Sequence, residues 1–463
     1  MPNADLPVAV IGAGPVGLAA AAHLIRRGAR PIIFEAGPKV GHAVRQWHHV
    51  RMFSPWRYNI DAAARALLEA TDWEVPDPDH HPTGAEIVRD YIEPLAAVPA
   101  LRGALVLNAR VVAVGRRGFD KVRSAGRDEA PFLVTVACGS GATSTYEARA
   151  VIDASGTFFE PNPAGAGGLP AIGEADAKAR VFYGIPDVLG VDRPRYAGKR
   201  VLVVGSGHSA MNALLELGAL RQQEPETRIT WAMRRADTSA VYGGGTADQL
   251  PERGQLGLRA RAAVENGQVQ VMAPFRVIRI DHGPAGLAIT DETGCCLREI
   301  KVDEMIVATG FRPDLSFLRE VRLELDSALD CPSALGPLID PNVHSCGTVR
   351  PHGYVELKQP EKDFYIVGMK SYGRAPTFLL ATGYEQVRSV AAALTGDIEA
   401  ARRVELCLPE TGVCSGPAPK ASVASEAGCC GPSMAAPDPV RAEATGCCGA
   451  SAATSREQVP AES

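Results

Sequence analysis

Two glycine-rich segments have the residue types and spacing to hold a dinucleotide. The first, Gly12-Ala13-Gly14-Pro15-Val16-Gly17, follows an apolar β-branched run and opens an alanine-rich helical stretch. Its glycines permit a tight turn, so backbone N–H groups and the positive end of the helix dipole can approach a pyrophosphate. Glu35 closes the following strand, where its carboxylate can accept hydrogen bonds from ribose hydroxyls. The residues predicted to form this first site are Gly12, Gly14, Pro15, Gly17 and Glu35.

The second segment, Gly205-Ser206-Gly207-His208-Ser209-Ala210, repeats the pattern with alanine at its third position, a variant that the pattern allows. The strand that follows ends in Arg234 and Arg235 and has no carboxylate. A guanidinium pair suits the 2′-phosphate of NADPH, which an acid would repel. His208 fits either a polar cap on the nucleotide loop or a catalytic role. The residues predicted to bind NADPH are Gly205, Ser206, Gly207, His208, Ser209, Arg234 and Arg235.

The elements that must position these loops read as two βαβ units, one nested in the other. Strands are expected at 7–11, 31–34, 200–204, 228–233 and 364–367, with helices from the first loop to Arg27, at 210–217 and at 378–394. Segments 104–114, 132–137 and 150–153 are expected to form one accessory sheet, and 268–307 a second. The predicted fold is α/β, with two Rossmann-like dinucleotide-binding domains, the NADPH domain inserted in the domain of the first glycine loop, accessory β-sheets and a disordered C-terminal tail. The predicted boundaries are 1–165 and 311–400 for the first domain, 166–310 for the inserted domain and 401–463 for the tail.

The composition of the chain indicates which kinds of partner are expected and in which cell compartment the protein lies. The net charge of -5 comes from nearly balanced acids and bases, without a long cationic run, so nucleic acid is not an expected partner. The apolar run at 8–24 contains three glycines and a proline and is predicted to be fold rather than signal peptide, and no run has the length that a membrane span requires. A cytoplasmic location follows, in which the 11 cysteines are thiols rather than disulfides. A homodimer is compatible with the sequence.

Three further motifs give a resemblance to a known family. Val151-Ile152-Asp153-Ala154-Ser155-Gly156-Thr157 precedes the second glycine loop, Ile306-Val307-Ala308-Thr309-Gly310-Phe311-Arg312-Pro313 follows it, and Phe364-Tyr365-Ile366-Val367-Gly368 comes later. Their order resembles class B flavin monooxygenases and the thioredoxin reductase-like superfamily. The resemblance implies FAD at the first loop and chain crossings that line the cofactor clefts, with Gly368 beside the flavin ribityl chain. Met369 stands where that family usually has aspartate. The further cofactor-binding residues that it implies are Trp47, Ser54, Ala154, Gly156, Thr309, Gly310, Gly368, Met369 and Thr377.

Within that superfamily, oxygenases and reductases differ in the group that receives the flavin's electrons. Disulfide and metal-ion reductases need a cysteine pair at CxxC or CxxxxC spacing, and this chain has neither. The monooxygenase fingerprint is matched in part, because Phe182-Tyr183-Gly184 is followed by Val188 rather than histidine. We therefore expect reduced flavin to react with molecular oxygen to give a C4a-(hydro)peroxyflavin, with no catalytic side chain and no metal site. A reductase remains the alternative.

Cysteine placement bears on the small-molecule substrate. Cys429-Cys430 and Cys447-Cys448 lie in the tail, and Cys346 is followed closely by His352. Thiolates prefer soft metals and metalloids, so these six residues are candidate substrate contacts, although Cys346 is equally consistent with a buried structural thiol. The segments at 346–353 and 369–378, with the Cys-Cys-Gly tail, resemble flavoprotein monooxygenases of arsenic resistance. That resemblance implies oxidation of trivalent organoarsenicals to pentavalent forms. Sulfur and amine oxygenation stay open, as does a thiol-rich metalloid-binding protein with a relic flavin fold.

Overall fold

Two parallel β-sheets form the framework of the protein. The computed structural model describes residues 5–139, 141–243, 245, 248, 250–294, 297–343, 349–376 and 378–406. In chain order, the strands are β1 (Val8–Ile11), β2 (Pro31–Phe34), β3 (Leu105–Val106), β4 (Ala109–Arg116), β5 (Phe132–Cys138), β6 (Thr143–Ala148), β7 (Ala150–Asp153), β8 (Val181–Tyr183), β9 (Arg200–Val204), β10 (Arg228–Ala232), β11 (Val269–Met272), β12 (Val277–Gly283), β13 (Gly286–Asp291), β14 (Arg298–Val302), β15 (Glu304–Val307) and β16 (Phe364–Ile366). The α-helices are α1 (Pro15–Arg26), α2 (His42–Gln46), α3 (Ala62–Leu68), α4 (Gly84–Ile87), α5 (Glu93–Ala97), α6 (Pro99–Arg102), α7 (Arg193–Tyr196), α8 (His208–Gln223), α9 (Pro251–Glu265), α10 (Gly336–Ile339), α11 (Tyr354–Leu357), α12 (Leu380–Leu394) and α13 (Ile398–Arg402).

The first sheet has the order β16-β7-β1-β2-β3. β1 lies at its centre and pairs in parallel with β2 and β7, so that Ile11 stands opposite both Phe34 and Asp153. Every residue of β1 and β7 is buried, as expected for strands that are covered on both faces. α1 packs against α12 on one face of this sheet. The carboxyl ends of β1, β7 and β16 therefore meet at one edge, beside the first glycine loop.

The second sheet has the order β11-β10-β9-β15-β8, and all of its strands lie in the sequence between β7 and β16. β9 is the central strand and pairs in parallel with β10 and β15. α8 and α9 pack together beside this sheet. The predicted α/β fold, with one Rossmann-like unit inserted in another, is confirmed.

The accessory sheets are smaller than predicted. They are the antiparallel triplets β4-β5-β6 and β12-β13-β14. The prediction was wrong for β3 and β7, which belong to the first parallel sheet, and for β11 and β15, which belong to the second. The expected strand at 104–114 is interrupted at Asn108, which has a φ of +51° and separates β3 from β4. A four-residue strand buried on both faces has no alternating pattern, so sequence periodicity does not indicate the sheet to which it belongs.

The helix ends follow local signals where those signals exist. α1 ends at Arg26, one residue before the predicted Arg27, and Gly28, with a φ of +75°, follows its C-cap residue. α8 begins two residues earlier and ends six residues later than the predicted 210–217. α13 extends past residue 400 and buries Ala401, so the folded part passes the predicted start of the tail. No helix among the described residues is both long and apolar enough to span a membrane.

Candidate functional site

The first glycine loop leaves space where a pyrophosphate would lie. Gly12 has a φ of +100°, and a Cβ on it would stand 2.7 Å from the carbonyl oxygen of Ala154. A Cβ on Gly17 would stand 2.0 Å from the carbonyl oxygen of Gly12, so the loop closes tightly onto α1. No atom lies within 4 Å of the Cβ position of Gly14. The open side of Gly14, beside the N-terminus of α1 that begins at Pro15, is the geometry that a pyrophosphate requires.

Glu35 is held against this loop. Its side chain is buried, with Oε2 accepting the Ala13 N–H at 2.9 Å and Oε1 accepting the Gly37 N–H at 2.8 Å. A carboxylate has about four lone-pair positions, so both oxygens can accept a further hydrogen bond. The two backbone bonds fix the carboxylate at the carboxyl end of β2, in the orientation predicted for ribose contact.

The second glycine loop has the same construction. Gly205 has a φ of +134°, and a Cβ on it would stand 2.3 Å from the carbonyl oxygen of Ala308. No atom lies within 4 Å of the Cβ position of Gly207, and Ala210 is fully buried against the sheet. The chain passes from the first unit to the second after β7 and returns after β15, and we call these two segments, which begin at Ala154 and Ala308, the chain crossings. Each glycine loop is therefore closed by the alanine of one crossing, Ala154 in the first unit and Ala308 in the second. The duplicated cradle fits two dinucleotides.

The side chains around the second loop differ in their freedom to bind a ligand. Arg234 is exposed and donates to the Ala166 carbonyl oxygen at 2.8 Å. Arg235 is exposed, and within the described residues it makes no hydrogen bond or ion pair. His208 is the first residue of α8, and its ring meets Phe53 edge-on with centroids 5.3 Å apart. Burial lowers the pKa of His208, so the neutral ring is favoured. Ser206 and Ser209 are half-buried beside it.

The two chain crossings are joined by Asn162, which sequence reasoning did not identify. Its N–H donates to the Gly310 carbonyl oxygen at 2.9 Å, and its side-chain amide donates to the Thr309 carbonyl oxygen at 3.1 Å. The Thr309 hydroxyl donates back to the Asn162 carbonyl oxygen at 3.0 Å, and Arg312 Nε donates to Asn162 Oδ1 at 2.9 Å. These bonds fix the position of one crossing relative to the other. A single asparagine in a proline- and glycine-containing segment gives no sequence signal for this role.

A buried ion pair lies between the first crossing and the Gly368 segment. Lys370 Nζ stands 2.6 Å from Asp153 Oδ2 and 3.0 Å from Ser155 Oγ. The Ser155 hydroxyl donates to the other oxygen of Asp153 at 2.6 Å, and both members of the pair are completely buried. Gly368 has a φ of +67°, and Met369 is half-buried. The sequence identified Asp153 and Lys370 as parts of motifs but did not predict their pairing.

A second buried network holds the Gly368 segment from the other side. The Gly368 N–H donates to Gln386 Oε1 at 2.7 Å, and the Gln386 amide donates to Ser371 Oγ and to His352 Nε2, both at 2.9 Å. His352 Nδ1 lies 3.1 Å from the Arg350 carbonyl oxygen, which places its proton on that nitrogen. Burial lowers the pKa of His352. The structure thus places this candidate substrate residue in a network of neutral, fully paired groups.

Two residues implied by the resemblance are engaged in local packing. The Trp47 ring covers Gly84, where a Cβ would stand 2.8 Å from Trp47 Cε3. Ser54 is buried and donates to Asn59 Oδ1 at 2.8 Å. Their proposed contact with flavin stays a prediction. Thr377, Cys346 and the tail cysteines, Cys429, Cys430, Cys447 and Cys448, lie outside the described residues.

The described residues contain two free cysteines, and these do not form a pair. Cys138 is half-buried at the end of β5. Cys331 is buried in the core beneath the first sheet, where burial raises the pKa of its thiol to about 12. A thiol with that pKa is inert as a nucleophile at neutral pH.

Comparisons with known proteins agree with this geometry. Residues 9–332 match the family described as pyridine nucleotide-disulphide oxidoreductase. A ferredoxin–NADP reductase of Thermus thermophilus is 24% identical over 74% of this chain and 84% of its own length. A thioredoxin reductase of Coxiella burnetii is 26% identical over 45% of this chain, and the match spans 56% of the reductase.

Solved structures share the fold at low identity. Bacillithiol disulfide reductase Bdr of Bacillus cereus superimposes with a TM-score of 0.61 at 20% identity, over 84% of this chain and 98% of that one. The cadaverine monooxygenase DfoA of Erwinia amylovora, determined with FAD, gives 0.59 at 14% identity over 87% and 98% of the two chains. The family match covers well over half of the sequence, and the chain therefore belongs to the pyridine nucleotide-disulphide oxidoreductase family, as a flavin-dependent oxidoreductase that uses FAD and NADPH.

Proposed function

We propose that this protein is an NADPH-dependent monooxygenase that oxygenates a soft nucleophile, with trivalent organoarsenicals as the substrate class. The observation that carries the proposal is the composition of the flavin side of the first unit. Around Asp153 and Gly368, the polar side chains include those of Lys370, Ser155 and Gln386, Val16 and Phe317 are apolar neighbours, and no cysteine pair lies there within the described residues. Electrons that reach this site find no dithiol among these residues, which favours molecular oxygen as the acceptor.

The two cradles have distinct tasks in this proposal. The loop at 12–17 and Glu35 hold FAD by its pyrophosphate and ribose, and the loop at 205–210 holds NADPH. The chemistry that bound FAD supplies is acceptance of a hydride and delivery of two electrons to oxygen. The hydrogen bonds of Asn162 hold the two chain crossings at a fixed distance, so they position the nucleotide of one unit relative to that of the other. Arg235 is the freer of the two guanidinium groups for the 2′-phosphate, because Arg234 already donates one of its N–H groups to the Ala166 carbonyl oxygen.

The buried hydrogen-bond networks hold the segment at 368–372 in place beside the first chain crossing. Lys370 is anchored to Asp153 and Ser155, and Gly368 is anchored to Gln386. Because these groups are buried and paired, they orient the segment at 368–372 and do not act as acids or bases toward a substrate. A trivalent arsenic centre carries a lone pair that attacks an electrophilic oxygen directly. The site therefore needs shape and exclusion of water rather than a side-chain nucleophile.

The monooxygenase reaction is tested by tracing the two oxygen atoms of O₂ with ¹⁸O labelling. Oxidation of methylarsonous acid transfers one atom of O₂ to arsenic and releases the other as water, with two electrons from NADPH and one proton from solvent. We expect the purified protein to consume NADPH, O₂ and methylarsonous acid in equal amounts and, with ¹⁸O₂, to place one labelled atom in the pentavalent product. Labelled hydrogen peroxide without labelled product would overturn the proposal. Anaerobic NADPH oxidation driven by a disulfide would identify the reductase alternative.

Nucleotide preference tests the role of Arg235. Arg235→Ser removes the guanidinium at the carboxyl end of β10, and Arg228→Ser removes an exposed guanidinium at the amino end of the same strand. A hydrogen bond to a charged group contributes about 1.5–3 kcal/mol, so kcat/KM for NADPH should fall roughly 10- to 100-fold in Arg235→Ser. Activity with NADH should hardly change, and Arg228→Ser should match the wild type with both nucleotides. Equal losses with NADPH and NADH would contradict the assignment.

A further inference from the structure

Two adjacent histidines and one aspartate meet where the first unit contacts the second. His48 and His49 follow α2 of the first unit, and Asp187 follows β8, an edge strand of the second sheet. One ligand atom from each of the three lies within 4.8 Å of the others, and His48 Nε2 stands 3.7 Å from Asp187 Oδ2. The sequence predicted no metal site, because the ligands are separated by about 140 residues of chain. Only the fold brings them together.

The His49 ring has no partner for either nitrogen. Nδ1 and Nε2 are both buried and make no hydrogen bond within the described part of the chain. The Pro186 carbonyl oxygen is near the ring but does not have hydrogen-bond geometry. A buried polar group without a partner costs about 1–3 kcal/mol, so such a group indicates a ligand that completes it. No group in the described part of the chain completes a hydrogen bond to a His49 ring nitrogen, whereas a metal ion would use one of its lone pairs directly.

Asp187 is already oriented as a ligand. Its Oδ1 accepts the Gly190 N–H at 3.0 Å and its Oδ2 accepts the Val191 N–H at 3.2 Å, so the carboxylate is fixed by its own turn. Hydrogen bonds of this kind to a ligating carboxylate are the usual support of a protein metal site. The charge of Asp192 also acts on His49, which makes the surroundings of the cluster negative. Both features favour a cation.

We propose that His48, His49 and Asp187 bind a divalent transition-metal ion of the Zn²⁺ class, which links the two nucleotide-binding units. Two imidazoles and one carboxylate are a ligand set that Zn²⁺ accepts, with water in the fourth position. Tetrahedral Zn²⁺ at about 2.0–2.1 Å from each ligand atom needs those atoms about 3.3 Å apart. The 3.7 Å separation of His48 Nε2 and Asp187 Oδ2 is close to that value, and one ligand atom from each of the three residues lies within 4.8 Å of the others. An ion at this point would tie the chain after α2 to the loop after β8.

The test is a count of bound zinc in the full-length flavoprotein. Equilibrium dialysis against ZnCl₂ and calorimetric titration give the stoichiometry and affinity for the wild type, His49→Gln and Asp187→Asn. Cysteine thiolates are also zinc ligands, but the cysteines of this chain are the same in every variant, so the difference in bound zinc reports this cluster. We expect each variant to lose one equivalent, or to bind it with an affinity more than 100-fold weaker, because a direct ligand contributes more than the 10- to 100-fold of its hydrogen-bonding partners.

The matched control is the double variant His80→Gln/His81→Gln. These two histidines are also adjacent and also lie next to a carboxylate, since His80 Nε2 is 3.1 Å from Glu86 Oε1. This pair should keep the full zinc count. Retention of bound flavin shows that each variant is folded, and His48→Gln, at an exposed position, replaces His49→Gln if the latter is not. Equal zinc binding by the wild type and all cluster variants, or an equal loss in the control, would overturn the proposal.

Discussion

Replacing Lys370 by methionine isolates the buried charge pair beside the candidate flavin site. Methionine keeps most of the side-chain volume but removes Nζ, which lies 2.6 Å from Asp153 Oδ2 and 3.0 Å from Ser155 Oγ. Asp153 would then remain buried with one oxygen still bonded to the N–H and hydroxyl of Ser155 and the other without its cation. Removal of one partner of a buried pair costs about 3–5 kcal/mol, because the remaining charge is uncompensated.

The bonds that Asp153 keeps place the expected loss at the lower end of this range. We expect Lys370→Met to lower the free energy of unfolding of the first unit by about 3 kcal/mol, which is about a 100-fold change in the folding equilibrium. Asp153→Asn/Lys370→Met removes charge from both sides and should cost less than the sum of the two single substitutions. The coupling should exceed roughly 1 kcal/mol, as is typical of residues in contact.

Urea unfolding of the flavin-free protein measures these values. Tryptophan fluorescence reports mainly on the first unit, which contains Trp47, Trp56 and Trp73, whereas Trp231 is buried in the second unit. Lys358→Met, at an exposed lysine outside the pair, is the control and should stay within about 0.5 kcal/mol of the wild type. A Lys370→Met protein within 1 kcal/mol of the wild type, or strictly additive double-variant energies, would refute the reasoning.

Three further predictions follow. Burial by itself would raise the pKa of Glu361, but hydrogen bonds from two buried arginines lower it below its ordinary value. Glu361→Gln should therefore lower the free energy of unfolding by about 3–5 kcal/mol at pH 7, and the difference from the wild type should shrink as the pH falls below about 4.5. A pH-independent difference in urea unfolding would contradict this prediction. Burial raises the pKa of Glu216 to about 7, so the stability that its protonated form contributes is present at low pH and is lost as the pH rises from about 4.5 to 7. Glu216→Gln should raise the free energy of unfolding by about 2–3 kcal/mol at pH 8 and by little at pH 5, measured by the same unfolding with EDTA present. An equal effect at both pH values would disprove the assignment. Gly12→Ala should destabilise the flavin-free protein by roughly 1–3 kcal/mol, because Gly12 has a positive φ and a Cβ there would contact Ala154. Gly14 has an extended backbone with open space beside it, so Gly14→Ala should leave that stability unchanged and weaken FAD binding in a fluorescence titration. Equal effects of the two substitutions on stability would argue against the cradle.

Local sequence signals determined the nucleotide loops and their order. The spacing of glycines after short apolar runs predicted β1, β2, β9 and both loop-to-helix turns, because each turn depends on residues that are neighbours in sequence. The presence of one βαβ unit inside another followed from the order of the motifs. Those features are local, and the physical requirement for glycine at positive φ makes them visible in a single chain.

Tertiary structure alone decided which distant side chains meet. Asp153 and Lys370 are 217 residues apart, and His49 and Asp187 belong to different units, so no periodicity or spacing predicts their contact. The sheet membership of β7 and β15 was equally hidden, since a short strand buried on both faces has the same pattern in either sheet. The sequence thus determined the two glycine loops, because their shape depends on backbone conformation over a few residues. The structure decided which distant charged and polar side chains meet, because that depends on how the two sheets pack.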